Sequence, residues 1–149
     1  MRVRDVMEKD VLTLGADDTL DLLDDMMRLA HVRHIPIVSG GALVGIVSQR
    51  DLFRAAISSV LQLRNSVERE WLAKIPIREI MTTSTLTIDP DASIHEAVDV
   101  MVGKRIGCLP VVASGRLVGL LSESDCLRYL AHLLGLAEVK ATLPEMPGD

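Results

Sequence analysis

The sequence predicts a mixed α/β (α+β) fold in which a strand, helix, strand, strand, helix unit occurs twice. Three observations carry the prediction. Sliding the chain on itself by 74 residues aligns Val3–Ala56 with Ile77–Leu130 without a gap, and 16 of the 54 pairs are identical. A period this long with only two copies points to a paired domain, since a solenoid needs three or more units to bury its faces. Within each copy, short β-prone runs alternate with apolar residues at steps of three and four, the pattern of strands interleaved with amphipathic helix.

In the first copy "VLTL", Val11 to Leu14, reads as a short strand, and Asp17, Asp18 and Thr19 supply helix-start chemistry. Leu20, Leu23, Met26, Met27 and Ala30 then form one apolar stripe, with Asp21, Asp24, Asp25 and Arg28 on the opposite face. "IPIV" and "ALVGIVS" read as two buried strands joined at Gly40 and Gly41, where glycine permits the positive φ of a tight hairpin. A second helix opens near Ser48. The second copy repeats the order with "TLTI", a helix from Ser93 to about Lys104, "LPVVA", "LVGLLS" and a helix from about Glu123.

These readings set the first repeat at 1–58, a helical connection at 59–74, the second repeat at 75–137 and a frayed tail at 138–149. The connection keeps a helical spacing through Val60, Leu61, Val67, Trp71 and Leu72. Two prolines and a glycine near the end of the tail suit fraying.

Composition removes several classes of function. Phe53, Trp71 and Tyr129 are the only aromatic residues of 149, so the core is aliphatic and a site of stacked rings is not expected. A net charge of −5 argues against nucleic-acid binding, which leaves a basic footprint. Cys108 and Cys126 form no CxxC pair, which suits free thiols in a reducing compartment. The amino terminus is charged from its second residue, and no apolar run reaches the ~18 residues needed to span a bilayer. A cytoplasmic protein with no membrane association is the expectation.

"GIVSQRD", Gly45 to Asp51, returns as "GLLSESD", Gly119 to Asp125. On its own, S-x-x-D before an apolar helix is a capping box, the hydroxyl accepting from the third helical amide while the carboxylate reaches back to the cap. The same geometry also suits a ligand. Glycine lets backbone approach another molecule, helix-start amides and a serine hydroxyl suit phosphate oxygens, and a carboxylate can accept both hydroxyls of a ribose. Either reading is open for either copy.

Taken in order, "VRDVM…TL…A…T…MM…HIPIV…LVGIVSQRD" and "IREIM…TI…A…S…M…CLPVV…LVGLLSESD" resemble two tandem CBS domains, the family named after cystathionine β-synthase. The resemblance covers nearly everything but the connection and the tail. It implies a stand-alone Bateman module: two β-α-β-β-α repeats packed sheet to sheet about a pseudo-twofold axis, with two clefts between them. It also implies an adenosine ligand as regulator: AMP, ADP, ATP or S-adenosylmethionine. Carried over by position, one cleft combines Ser122, Ser124 and Asp125 with Val11, Thr13, Arg33, His34 and Ile35. The other combines Ser48 and Asp51 with Thr85, Thr87, Gly107, Cys108 and Leu109. The first ranks higher because Arg33 and His34 can meet a phosphate. In the second, Arg50 stands where the family pattern has a serine, and the partner stretch before Pro110 is uncharged.

His31, His34, His95 and His132 occupy dissimilar repeat positions, so no metal site is expected. No base accompanies either thiol at catalytic spacing, and no catalytic residue is assigned. The stripes Leu22, Leu23, Met26, Met27 and Ala97, Val98, Val100, Met101 read as core plus a helix interface, and a homodimer is expected. The leading reading is a regulatory module that binds an adenine nucleotide and signals to a protein partner. The alternative is a ligand-free dimerisation scaffold in which both S-x-x-D segments only cap helices; an enzyme acting on nucleotides ranks third.

Overall fold

A computed structural model describes residues 1–60 and 70–135. The first repeat carries helix α2 (Leu20–Ala30), strands β1 (His34–Ser39) and β2 (Ala42–Ser48) and helix α3 (Gln49–Val60); a four-residue helix α1 (Val3–Val6) precedes them. The second carries a 3-10 turn (Ile77–Glu79), helix α4 (Ile94–Lys104), strands β3 (Cys108–Ala113) and β4 (Arg116–Ser122) and helix α5 (Glu123–Leu133). Residues 61–69 of the predicted connection and the whole of the predicted tail lie outside the described residues.

Each repeat holds one antiparallel two-stranded sheet, β1 with β2 and β3 with β4. Ser39 stands opposite Ala42, which leaves a two-residue turn at Gly40 and Gly41 with φ of 58° and 84°. This is the type I′ geometry that matches strand twist. In the second hairpin the first turn position is Ser114 at φ 52°. Both hairpins carry a bulge at equivalent places. Ile37 faces Gly45 while Val38 faces Leu43, so Val44 is the extra residue, and Val118 repeats it.

The predicted strands at Val11–Leu14 and Thr85–Ile88 shorten to one bridging residue each, Leu14 alongside Ile37 and Ile88 alongside Val111, both parallel. Their ladders stop for local reasons. After Leu14, the Gly15 amide turns to Asp18 Oδ2 at 2.7 Å. After Ile88, the Asp91 amide bonds Asp89 Oδ1 at 2.8 Å, across Pro90, which has no N–H to continue a ladder.

The helices start where the sequence places them. Ser93 caps α4 by accepting from the Glu96 amide at 3.1 Å. Thr19 precedes α2 without a side-chain cap bond and donates instead to Asp21 Oδ1. Both helices end on a left-handed residue that is not glycine, His31 at φ 53° and Arg105 at φ 55°.

The two repeats exchange their leading segments. Val3 is fully buried in the second repeat's core, among Ile88, Ile94, Ala97, Met101, Leu109, Val111 and Leu121. Ile77 is fully buried in the first, among Leu20, Leu23, Met27, Ile35, Ile37 and Val47. Each such side chain contributes about 1.5–3 kcal/mol on burial, which outweighs the exposed ion pairs beside it, Arg4 with Asp91 and Arg78 with Asp17.

Backbone pairing fixes the exchange. Glu8 and Leu120 exchange hydrogen bonds of 2.9 and 3.0 Å, and Thr82 and Ile46 do the same at 2.9 and 3.0 Å. The glycines in mid-strand exist for this approach: a Cβ on Gly45 would lie 2.9 Å from the Thr82 carbonyl oxygen, and one on Gly119 2.9 Å from that of Glu8. The six isolated bridges form three pairs related by the same 74-residue offset, so the repeat symmetry extends to the crossing itself. The two sheets then meet along β2 and β4, where the Leu117 amide donates to the Gly41 carbonyl at 3.1 Å.

Two predictions follow from the backbone. Gly119→Ala and Gly45→Ala are each expected to destabilise the chain by about 1–3 kcal/mol through overpacking, whereas Gly103→Ala, in α4 with open space around it, is expected to stabilise by about 0.5–1 kcal/mol. Urea unfolding midpoints compare the three; equal effects would deny the close-approach role. Separately, Arg105→Gly relieves a left-handed helix end and is expected to raise the midpoint, by up to about 1 kcal/mol, with loss of stability as the contrary result.

Candidate functional site

Both S-x-x-D segments form complete capping boxes. The Ser48 amide and hydroxyl donate to Asp51 Oδ2 at 2.8 and 2.9 Å, and the Asp51 amide donates to Ser48 Oγ at 3.1 Å. In the second copy the three distances are 2.8, 2.9 and 3.3 Å between Ser122 and Asp125. The caps differ in the other carboxylate oxygen. Asp125 Oδ1 accepts from Arg128, and the residue is buried at 5% exposure. Asp51 is half-buried, and its Oδ1 takes no hydrogen bond among the described residues.

Strand register decides which predicted residues stand beside each cap. His34 is opposite Ser48 and Ile35 opposite Val47, while the Gln49 amide donates to the Arg33 carbonyl at 2.8 Å. Arg33, His34 and Ile35 therefore flank the Ser48–Asp51 cap of their own repeat. Gly107, Cys108 and Leu109 likewise flank Ser122–Asp125: Cys108 is opposite Ser122, Leu109 opposite Leu121, and the Glu123 amide donates to the Gly107 carbonyl at 3.0 Å. The expected grouping had crossed these two sets between repeats.

His34 also looks across the seam. Burial holds its imidazole below the ordinary histidine range, with Glu123 of the second repeat and Asp51 pulling it upward and Arg33 and Arg50 adding to the depression. Cys108 is buried, and that burial, with Asp125 nearby, pushes its thiol up to about 12. A thiol so far from ionisation is a small apolar wall rather than a nucleophile. Burial likewise raises Cys126, with Asp125 and Glu123 adding to it.

Thr85 and Thr87 line an open cavity of about 270 Å³ together with Thr83, Val112 and Gly115 of the second repeat and Leu43, Val44 and Gly45 of β2. The cavity lies between the repeats and meets the strand that leads into Ser48 at its residues 43–45, with neither Ser48 nor Asp51 in its lining. Val11 and Thr13 are half-buried on the equivalent approach segment of the first repeat. Ser124 and Arg50 are exposed in the first turns of α5 and α3.

Two contributors escaped the sequence reading. Arg128 clamps Asp125, and a signal existed: arginine recurs at the equivalent position, Arg54. Glu123 Oε1 sits 2.9 Å from where a Cβ on Gly107 would be, a packing relation that spacing alone does not reveal. Among the described residues, no three His, Cys, Asp or Glu side chains converge as metal ligands, and no helix is long and apolar enough to cross a membrane.

Comparison with known proteins agrees with this architecture. The CBS domain model matches residues 3–58 and 77–132. A CBS domain-containing protein of Dictyostelium discoideum is 32% identical over 134 residues, covering 89% of this chain and 92% of the relative. An inosine-5′-monophosphate dehydrogenase of Korarchaeum cryptofilum is 30% identical over 132 residues, but the match spans 88% of this chain and only 25% of that enzyme.

Among solved structures, a Vibrio cholerae protein named for acetoin utilization, AcuB, superposes with a TM-score of 0.77 at 37% identity, covering 93% of this chain and 96% of the other. The CBS domain pair of protein MJ0100, in complex with 5′-methylthioadenosine and S-adenosyl-L-methionine, gives 0.74 at 25% identity, covering 87% and 99%. With two matched repeats and a relative covered over 92% of its length, this chain belongs to the CBS domain family as a tandem pair.

Proposed function

We propose that the chain is a cytoplasmic regulatory module that binds an adenosine ligand (AMP, ADP, ATP or S-adenosylmethionine) at the seam between its repeats and passes the change to a protein partner. The observation that carries this reading is the likeness, over nearly the whole domain pair, to a CBS pair solved with 5′-methylthioadenosine and S-adenosyl-L-methionine. The chain's own geometry supports it. Each cap offers a carboxylate at a strand end, and the neighbouring repeat brings Thr85 and Thr87 to the strand leading into one of them. Asp51 or Asp125 would hold the ribose, and aliphatic walls would enclose the adenine. In this reading the protein itself carries out no reaction.

A homodimer belongs to the same proposal. Phe53 and Leu127 occupy equivalent places on α3 and α5 and are 58% and 64% exposed, with Ile57 and Leu130 exposed beside them. The stripe on α2 is less available, since Leu23 and Met27 are buried in the core.

The scaffold reading has one observation in its favour: both carboxylates turn onto their own helix starts. Glutamate at the third helical position completes a capping box as well as aspartate does, yet moves the carboxylate by a methylene. Asp51→Glu and Asp125→Glu are therefore expected to keep the unliganded stability within about 1 kcal/mol and to weaken adenosine ligands by about tenfold or more. Calorimetry with AMP, ADP, ATP and S-adenosylmethionine, beside thermal unfolding, checks both. Unchanged affinity would leave the carboxylates as caps alone, and no binding by the unaltered chain would favour the scaffold.

A further inference from the structure

The repeat symmetry breaks at the hairpin tips. Thr83, Thr85 and Thr87, at alternate positions of one segment, line the cavity of about 270 Å³, with Leu43, Val44 and Val112 as its aliphatic walls and Gly115 contributed by the second hairpin's turn. The 74-residue offset maps this lining onto the other flank of the module, where Lys9, Val11 and Thr13 stand for the three threonines and Gly41 for Gly115.

On that flank the tips are shut. The Leu117 amide donates to the Gly41 carbonyl at 3.1 Å, and no matching bond joins Leu43 to Gly115. Arg116 reaches across the seam and lies over the first turn: a Cβ on Gly41 would stand 2.9 Å from its guanidinium carbon, whereas nothing comes within 4 Å of one on Gly115. The residue equivalent to Arg116 is Ala42, too short to do the same. Gly41 is accordingly half-buried and Gly115 exposed. The approach segments differ in the same sense. Thr13 is half-buried and Thr87 exposed, and Leu12 packs on the first core while Leu86 is 46% exposed.

The open cavity has no ionisable side chain in its lining. Threonine hydroxyls can donate or accept, and between aliphatic walls they suit the uncharged part of a nucleoside. Drug-sized ligands fill about 300–1,000 Å³, so a cavity of about 270 Å³ holds part of such a ligand and leaves a charged end outside. A ligand on the other flank would have to displace a guanidinium and break a backbone hydrogen bond before it gained any contact.

We infer, resting on the adenosine-ligand reading above, that the module holds one ligand per chain. The Thr83–Thr87 cavity takes its uncharged nucleoside part, and Arg116 shuts the equivalent place on the other flank.

Calorimetry of the full chain with AMP, ADP, ATP and S-adenosylmethionine, each alone, counts the sites. Every compound that binds is expected at one equivalent. Arg116→Ala, which gives the second hairpin the first one's residue, is expected to raise the count to two. Ala42→Arg, which puts a guanidinium beside the bare turn, is expected to weaken binding by about tenfold or more. Both residues are exposed; thermal unfolding checks that each variant folds, and Ala42→Arg decides alone if Arg116→Ala does not. Two equivalents on the unaltered chain, one on folded Arg116→Ala, or unchanged affinity in Ala42→Arg overturns the single-site assignment while the adenosine reading stands. Absence of binding by all four compounds overturns both.

Discussion

Neither repeat has a complete core without a piece of the other. Val3 closes the second repeat and Ile77 the first, each carried there on a segment that goes on to hydrogen-bond the far edge of the sheet it has joined. The pairing depends on two atoms that are absent, the Cβ atoms of Gly45 and Gly119, whose places the carbonyls of Thr82 and Glu8 crowd. The repeats cannot separate without exposing those apolar anchors and stranding the backbone hydrogen bonds between them, among them the four shared by Glu8 with Leu120 and Thr82 with Ile46, so a ligand bound at the seam would act on their relative tilt. Two arrangements that differ little in core packing are what a ligand with modest differential affinity can shift.

The caps add a second constraint, because the group that a ribose would use already has work. Asp125 holds its own helix start through one oxygen and Arg128 through the other. Asp51 holds its cap through Oδ2, and among the described residues its second oxygen takes no hydrogen bond. A carboxylate oxygen has two lone pairs, so a ligand can join a cap without dismantling it. At Asp125 it must also displace or share Arg128. The S-x-x-D segments therefore present different binding problems on one backbone pattern: Asp125 is buried under Arg128, whereas Asp51 is half-buried.

Much of the fold was legible because it is local. Helix starts, the Gly40 and Gly41 hairpin and the apolar stripe of α2 are all fixed by residues close in sequence, and the 74-residue offset announces the pair. The crossing was not legible from that offset. A segment displaced by one full repeat has an identical sequence environment whether it packs on its own copy or on the other, so translation of the chain cannot distinguish the two. The glycines were the available signal. Gly45 and Gly119 sit at the same place inside strands otherwise rich in β-branched and leucine residues, where glycine weakens a strand unless something approaches closely. The sequence reading assigned that approach to a ligand; the structure gives it to the chain's own backbone. Of the candidate site, the two caps were legible because S-x-x-D is a local pattern; which residues stand beside each cap was not, since strand register, which put Arg33 to Ile35 beside Ser48, is a tertiary outcome.

A duplicated chain carries its own control. Pro36 and Pro110, Gly45 and Gly119, Ser48 and Ser122, and Asp51 and Asp125 are the same in both copies, and each has a geometric duty in both: a buried strand position, a close approach, a cap. Several positions that differ in chemistry, 33 against 107, 34 against 108, 49 against 123 and 50 against 124, ring the caps without building them. Loss of a shared residue would damage the frame at both ends alike, whereas exchange at the differing positions leaves the backbone bonds of each cap intact. Identity between the copies thus marks what the fold requires, and divergence marks where the two ends have become chemically distinct surfaces on one frame.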